Sequence, residues 1–211
     1  MLIKKIMIIL QALLFLSAVY FFPLLPDRIP THWNAQGIVD GYGPKYMIFL
    51  FSLMPIMIYG LLGILPKIDP KKEAYTKHNK AYQTVRIALS VFMAGIYIVT
   101  ALAALDYPSK VDMLVKLGVG ILFIIMGNVL SQARQNYMFG IRTPWTLANE
   151  EVWRKTHRVG AYVFVILGIV MCISAFFTGT VSAVIIFIAI MAAVIIPFVY
   201  SYLEYRKITR S

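Results

Sequence analysis

The sequence predicts an all-α integral membrane protein: six transmembrane helices, both termini cytoplasmic, and an interfacial cytoplasmic helix between spans four and five. Three observations carry that prediction. The 211 residues are 60% hydrophobic and 14% charged, with a mean hydropathy of +0.77, whereas soluble domains run nearer half apolar and a quarter charged. Apolar runs long enough to cross a bilayer as helices recur at roughly 6–25, 46–66, 84–105, 111–131, 159–177 and 181–203. The short alternation of a membrane barrel is missing. Finally, the charge is lopsided. With alternate connectors placed on one side, sixteen of the twenty Lys and Arg share a side with the termini, against five acids. The whole excess of +11 lies there and the other side is neutral, so the positive-inside rule makes the basic side cytoplasmic. Basicity is therefore a topology signal, and direct nucleic-acid binding is not expected.

The chain divides into a two-span unit (1–66) with an ordered outer loop, a basic cytoplasmic linker (67–83) and a four-span unit (84–211). The first span follows Lys4-Lys5 and is too long, with no small-x-small site after it, for a cleaved signal; it reads as a retained anchor. The outer loop, LPDRIPTHWNAQGIVDGYGPK, is rich in turn formers: Pro26 and Pro30 favour extended backbone, and Gly37, Gly41 and Gly43 tolerate positive φ. His32, Asn34 and Asp40 are a thin ligand set for a divalent ion, which wants three or four good donors. The competing reading makes Trp33 and Tyr42 interface anchors and lets Asn34 and Asp40 bond the turns. No metal is expected.

Span two contains Pro55, a kink tolerated in membrane helices. Asp69-Pro70 then starts a short interfacial helix, with Glu73 and Lys77 at i,i+4 spacing. Lys71, Lys72, Lys77 and Lys80 attract anionic headgroups, and His78 reads as a surface residue. Short connectors make hairpins of spans three and four and of spans five and six. Asp112 and Lys116 can pair at the start of span four. Gly118, Gly120, Gly127 and Ser131 on that span, and Gly160, Gly168 and Ser174 on the next, suit close helix packing. Asn128, Gln132 and Gln135 fall within about 60° on a helical wheel. That stripe is expected to face other helices or a polar vestibule, because lipid offers it no partners.

The long polar interruption, Gln132–Arg158, carries two of the three Trp. Thr143 and Pro144 read as N-cap and first residue of a helix running into span five. Glu150→Arg154 and Glu151→Lys155 are i,i+4 pairs in the favourable order. Trp145, Ala148, Val152 and Thr156 form a stripe suited to the headgroup zone. Gly140 suits a turn.

Tests for chemistry are mostly negative. No Walker loop, His-Glu-x-x-His, Gly-x-Ser-x-Gly or Cys-x-x-Cys occurs, and the single Cys172 lies within a span. No cofactor is expected. Glu150-Glu151 with Lys155 approaches the Glu-Glu-x-x-x-Arg signature of CAAX-type membrane proteases, but Lys replaces Arg and no later span supplies the accompanying His motifs. Small-solute carriage, the other alternative, usually requires ionisable groups at mid-membrane, and none is placed there.

Two stretches resemble one known family. PDRIPTHWNAQGIVDGYGPK is similar to the N-terminal motif of the SdpI family, which also occurs as a domain of unknown function in its own right. NYMFGIRTPWTLANEEVWRKTHRVG resembles the same family's C-terminal signature, Gly-x-Arg-Thr-Pro-Trp-Thr with a downstream Glu-x-x-Trp and Thr-His. The resemblance implies a non-enzymatic bacterial membrane protein giving immunity to a secreted, membrane-active peptide toxin, with some members also holding a cytoplasmic DNA-binding repressor at the membrane. Carried onto this chain, it makes His32, Trp33, Asn34, Asp40 and Tyr42 the toxin-facing outer loop. It makes Asn136, Tyr137, Gly140, Arg142, Thr143, Pro144, Trp145, Glu150, Trp153 and His157 a cytoplasmic signature that holds the bundle or docks a repressor. Membrane lipids are the remaining expected partners.

Overall fold

The computed structural model describes residues 2–34, 37–107, 110–177 and 179–210. Six long helices form the body: α1 (Leu2–Phe21), α2 (Met47–Ile68), α4 (Asn79–Ala104), α5 (Val111–Leu130), α7 (Glu150–Ser174) and α8 (Thr180–Arg210). All six are long and apolar enough to span a membrane. Their outward faces carry side chains such as Leu13, Ile121, Ile166 and Phe187, all exposed, a surface that lipid covers at no hydrophobic cost. Each long helix packs against the next, in the order α1, α2, α4, α5, α7, α8. The chain thus shuttles between two ends. One end carries a β-hairpin, the other the short helices α3 (Ala74–Lys77) and α6 (Pro144–Ala148) with most of the basic residues.

Two places show why these helices sit so closely. A Cβ on Gly120 of α5 would lie 2.7 Å from the Gly168 carbonyl oxygen of α7, and one on Gly127 would lie 2.8 Å from the Ala161 carbonyl oxygen. The small-residue surfaces therefore bring two backbones into contact. On α2, Pro66 has no N–H to give the Leu62 carbonyl, and the Tyr82 hydroxyl of α4 donates to that oxygen at 2.5 Å. Arg86 of α4 likewise donates to the Tyr59 carbonyl (2.8 and 3.2 Å) with its guanidinium 3.9 Å from the Tyr59 ring centre. The expected Asp112–Lys116 pair forms at 2.8 Å.

At the hairpin end, Leu14, Ala18, Leu25, Ile29, Ile48, Ala94 and Tyr97 form one buried cluster. It joins α1, α2 and α4 to the hairpin, with the Ser17 and Tyr97 hydroxyls 2.7 Å apart. The outer loop is more regular than a set of turns. Strands β1 (Arg28–Trp33) and β2 (Val39–Pro44) pair antiparallel, Ile29 opposite Gly43 and Trp33 opposite Val39, with irregular register around His32. Pro30 and the strand glycines mask the strand signal in the sequence.

Several expectations for the basic end are revised. Helix α4 begins at Asn79 rather than near 84, and His78 is 3% exposed rather than on the surface. Helix α5 stops at Leu130, so Gln132 and Gln135 do not continue its wheel and the three-residue polar stripe is broken. Thr143 does cap a helix beginning at Pro144, but that helix ends after five residues. Asn149 breaks it and caps α7, accepting the Glu151 and Val152 amides at 2.9 and 3.1 Å. Glu150–Arg158 therefore form the first turns of α7. Val152 and Thr156 are fully buried rather than turned to headgroups.

Candidate functional site

The residues between α5 and α7 fold back over the helix ends and are held there by buried polar groups. Asn136, completely buried, donates to the Arg134 and Phe139 carbonyls (2.8 and 2.9 Å) and accepts the Met138 and Phe139 amides (2.9 and 2.6 Å). One side chain thus shapes the whole turn. Gln135 donates to the Thr146 and Leu147 carbonyls at 2.8 and 2.9 Å, and its own oxygen accepts Lys71 Nζ.

Helix α7 supplies the second half of the clasp. Trp153 Nε1 donates to the Ala133 carbonyl at 2.8 Å, and its ring stacks on His157 with centroids 4.1 Å apart. His157 is fully buried. Its Nε2 accepts the Ile141 amide at 2.9 Å and its Nδ1 lies 2.8 Å from the Trp153 carbonyl, which assigns the proton to Nδ1. Gly140 lies between them with φ 112°, and a Cβ there would run into His157 Nε2. Only glycine fits. Thr143 and Thr146 cap α6 reciprocally, and the Thr143 hydroxyl donates to Ser201 Oγ of α8 at 3.0 Å. Trp145 packs its ring edge-on against Phe198 and beside Tyr202 of α8.

The third side comes from the connector before α4. Asp69 is 2% exposed. Its carboxylate accepts the Lys71 amide at 2.7 Å, the Tyr75 hydroxyl at 2.9 Å and the Tyr137 amide at 3.0 Å. Burial, with Asp69 beside it, pushes the Tyr75 phenol well above its usual range. His78 Nδ1 accepts the Arg134 amide at 3.2 Å, while its buried Nε2 meets no hydrogen-bond partner among the described residues. Burial, reinforced by the Arg134 guanidinium and opposed by Asp69, pushes this imidazole below its usual range. Sequence reasoning missed Asp69, Tyr75, His78 and Ser201. The one signal available was Asp69 two residues before Lys71, the spacing of an Asx turn.

The signature residues thus sort into two sets. Asn136, Thr143, Trp153 and His157 are interior, with Gly140 wedged among them. Tyr137, Arg142, Pro144 and Glu150 are exposed, Arg142 donating to the Tyr137 carbonyl at 2.6 Å. Of the adjacent acids, Glu151 pairs with Lys155 at 2.9 Å, and Lys155 also reaches Glu204 of α8 at 2.6 Å. The expected Glu150–Arg154 pair is not made among the described residues. Asn128 and Gln132 lie outside the clasp, exposed, with Asn128 donating to the Ile124 carbonyl of its own helix at 2.8 Å. Only Gln135 of the former stripe joins the network.

At the other end, His32 and Asp40 face each other on the exposed surface of the hairpin, Nδ1 to Oδ1 2.5 Å. The Asn34 side chain accepts the Ile38 amide at 3.0 Å and closes the turn. Tyr42 is exposed and Trp33 half-buried. Among the described residues no group of three or more His, Cys, Asp or Glu could hold a metal. Beneath the hairpin a cavity of about 280 Å³ is bounded by Trp33, Asn34, Ile96, Val99, Val115 and Lys116. Ile96, Val99 and Val115 also border an apolar cleft of about 320 Å³ that continues between α4 and α5.

Residues 132–201, which hold two of the clasp's three sides, match the SdpI/YfhL protein family, and residues 8–58, which hold the hairpin, match a domain of unknown function, DUF1648. No solved structure matches. The chain is 32% identical over 209 residues to the immunity protein SdpI of Bacillus subtilis (strain 168), covering 98% of this chain and 97% of that one. Six apolar spans and near full-length likeness together make this a multi-pass cell-membrane protein, and the chain belongs to the SdpI family.

Proposed function

We propose that this protein is a non-enzymatic immunity protein that protects its cell against a secreted, membrane-active peptide toxin. The observation that carries the reading is the near full-length likeness to a protein named for immunity. In this reading the termini and the clasp are cytoplasmic, as the one-sided charge of the sequence argues, and the hairpin faces outward. His32, Trp33, Asn34, Asp40 and Tyr42 then meet the toxin first. The cleft that starts under the hairpin and continues between α4 and α5 supports this reading, because it offers an amphipathic peptide an apolar surface continuous with the loop. The engagement of His157 with Trp153 and Ile141, and of Lys155 with two acids, favours a scaffold over a protease centre.

A cytoplasmic repressor, in this proposal, docks on the exposed part of the signature, Tyr137, Arg142, Pro144 and Glu150. Expression in a strain sensitive to a sporulation-delaying-type peptide tests the main role. Growth in the presence of toxin is expected, and death despite normal accumulation in the membrane would overturn it. Loss of repression relief in Arg142→Ala, with protection intact, is the result expected for docking.

A further inference from the structure

The polar residues stranded at the end of α5 point to a ligand of another kind. Asn128 and Ser131 are exposed at the rim of a groove of about 510 Å³ between α5 and α7. Facing them from α7 are Arg154 and Arg158, one turn apart and both exposed. Neither guanidinium enters a hydrogen bond or ion pair among the described residues. Of the nearby acids, Glu151 and Glu204 are held by Lys155, and the exposed Glu150 makes no pair with Arg154 among the described residues. Below the arginines the groove is apolar, running past Val165 to Ile166, about 12 Å further along the helix from Arg158 at 1.5 Å per residue.

We infer that this groove is a binding site for an anionic phospholipid, with its phosphate between Arg154 and Arg158 and an acyl chain along Val165 and Ile166. Two like charges at the edge of the hydrocarbon repel each other and are satisfied together by one phosphate, which guanidinium forks bind in bidentate fashion. A Ser131 hydroxyl can add a donor to the phosphate. Asn128 gives one amide N–H to the Ile124 carbonyl, which fixes its side chain and leaves its oxygen to accept a hydroxyl of the headgroup. A zwitterionic headgroup brings a cation back beside two arginines. Such a lipid fits the fold as well as the charge: its chain lies where Gly127 lets α5 and α7 touch, so it covers the seam between them.

The test uses the full chain purified in detergent, with bound lipid counted by native mass spectrometry. Phosphatidylglycerol is titrated against phosphatidylcholine of the same chains. One phosphatidylglycerol is expected to bind at least about tenfold more tightly than phosphatidylcholine, and to be lost in Arg154→Gln/Arg158→Gln. The Lys4→Gln/Lys5→Gln variant, which removes equal charge at the same end, is expected to bind like the parent. Glycerol phosphate in excess is expected not to displace the lipid. Ile166→Trp, which fills the apolar half while leaving both arginines, is expected to weaken binding without loss of fold. Equal affinity for the two lipids, equal loss in the Lys4/Lys5 variant, displacement by glycerol phosphate, or unchanged binding in Ile166→Trp would each overturn the assignment.

Discussion

The Asp69 carboxylate accepts the backbone amide of Tyr137 at 3.0 Å, joining the loop after α2 to the start of the signature segment 68 residues later. It is a buried charge held by three donors, two of them backbone, with Tyr75 as the third. Hydrogen bonds to a charged acceptor contribute about 1.5–3 kcal/mol each, and an unpaired buried donor costs about as much as it would otherwise gain. Asp69→Ala removes the acceptor of all three donors and is expected to lower stability by about 3 kcal/mol, measured by thermal unfolding in detergent. Tyr75→Phe removes a single hydroxyl proton shared between Asp69 and Asn136 (2.9 and 3.1 Å) and is expected to cost about 1 kcal/mol.

Gly140 gives the sharpest test of the clasp. Its φ of 112° strains any side chain, and a Cβ would strike His157. Gly140→Ala is expected to destabilise by about 3 kcal/mol or more, combining strain and overpacking. A reduced melting temperature and poor accumulation in the membrane would show it. Gly95, whose added Cβ meets nothing within 4 Å, is the control: Gly95→Ala is expected to be neutral or better in a helix.

His78 predicts a pH dependence of definite sign. Its folded pKa is depressed by burial and by Arg134, with Asp69 opposing. The unfolded chain therefore binds a proton that the folded one refuses once pH falls to about 6.5, the ordinary His value. Stability from this group is fully present above that pH and is lost as pH falls below it. The melting temperature is expected to drop between about pH 7 and 5, and to drop less in His78→Gln.

How much of this was legible in the sequence depends on how local each cause is. The six spans rest on runs of apolar residues and were readable, as were the Thr143-Pro144 cap and the Gly120, Gly127 and Gly168 contacts. Helix α4 starts earlier than expected because Asn79–Gln83 continue as helix on a polar turn that buries one face against protein, whereas the helix expected to run from Pro144 into span five is split at Asn149. The break at Asn149 carried its own sign, an N-cap residue before two acids. Asp69 and His78 were unreadable for a different reason. They sit in a lysine-rich connector, and what buries them is residues 133–139, placed by a fold-back that nothing local announces.

The hairpin and the clasp make opposite predictions under mutation. His32 and Asp40 are exposed and bonded chiefly to each other, so His32→Ala is expected to leave the melting temperature unchanged while weakening protection. Trp153→Ala removes a buried ring with its bond to Ala133, and is expected to cost about 3–5 kcal/mol and to lose protection through loss of folded protein.

In the proposed division of labour, the hairpin end meets the toxin while the signature segment holds the bundle together. The most direct measurement compares growth of a toxin-sensitive strain expressing either the parent chain or Trp33→Ala/Asp40→Ala, at matched levels of folded membrane protein. Growth is expected with the parent and killing with the variant. Full protection by the variant, or none by the parent, would contradict it.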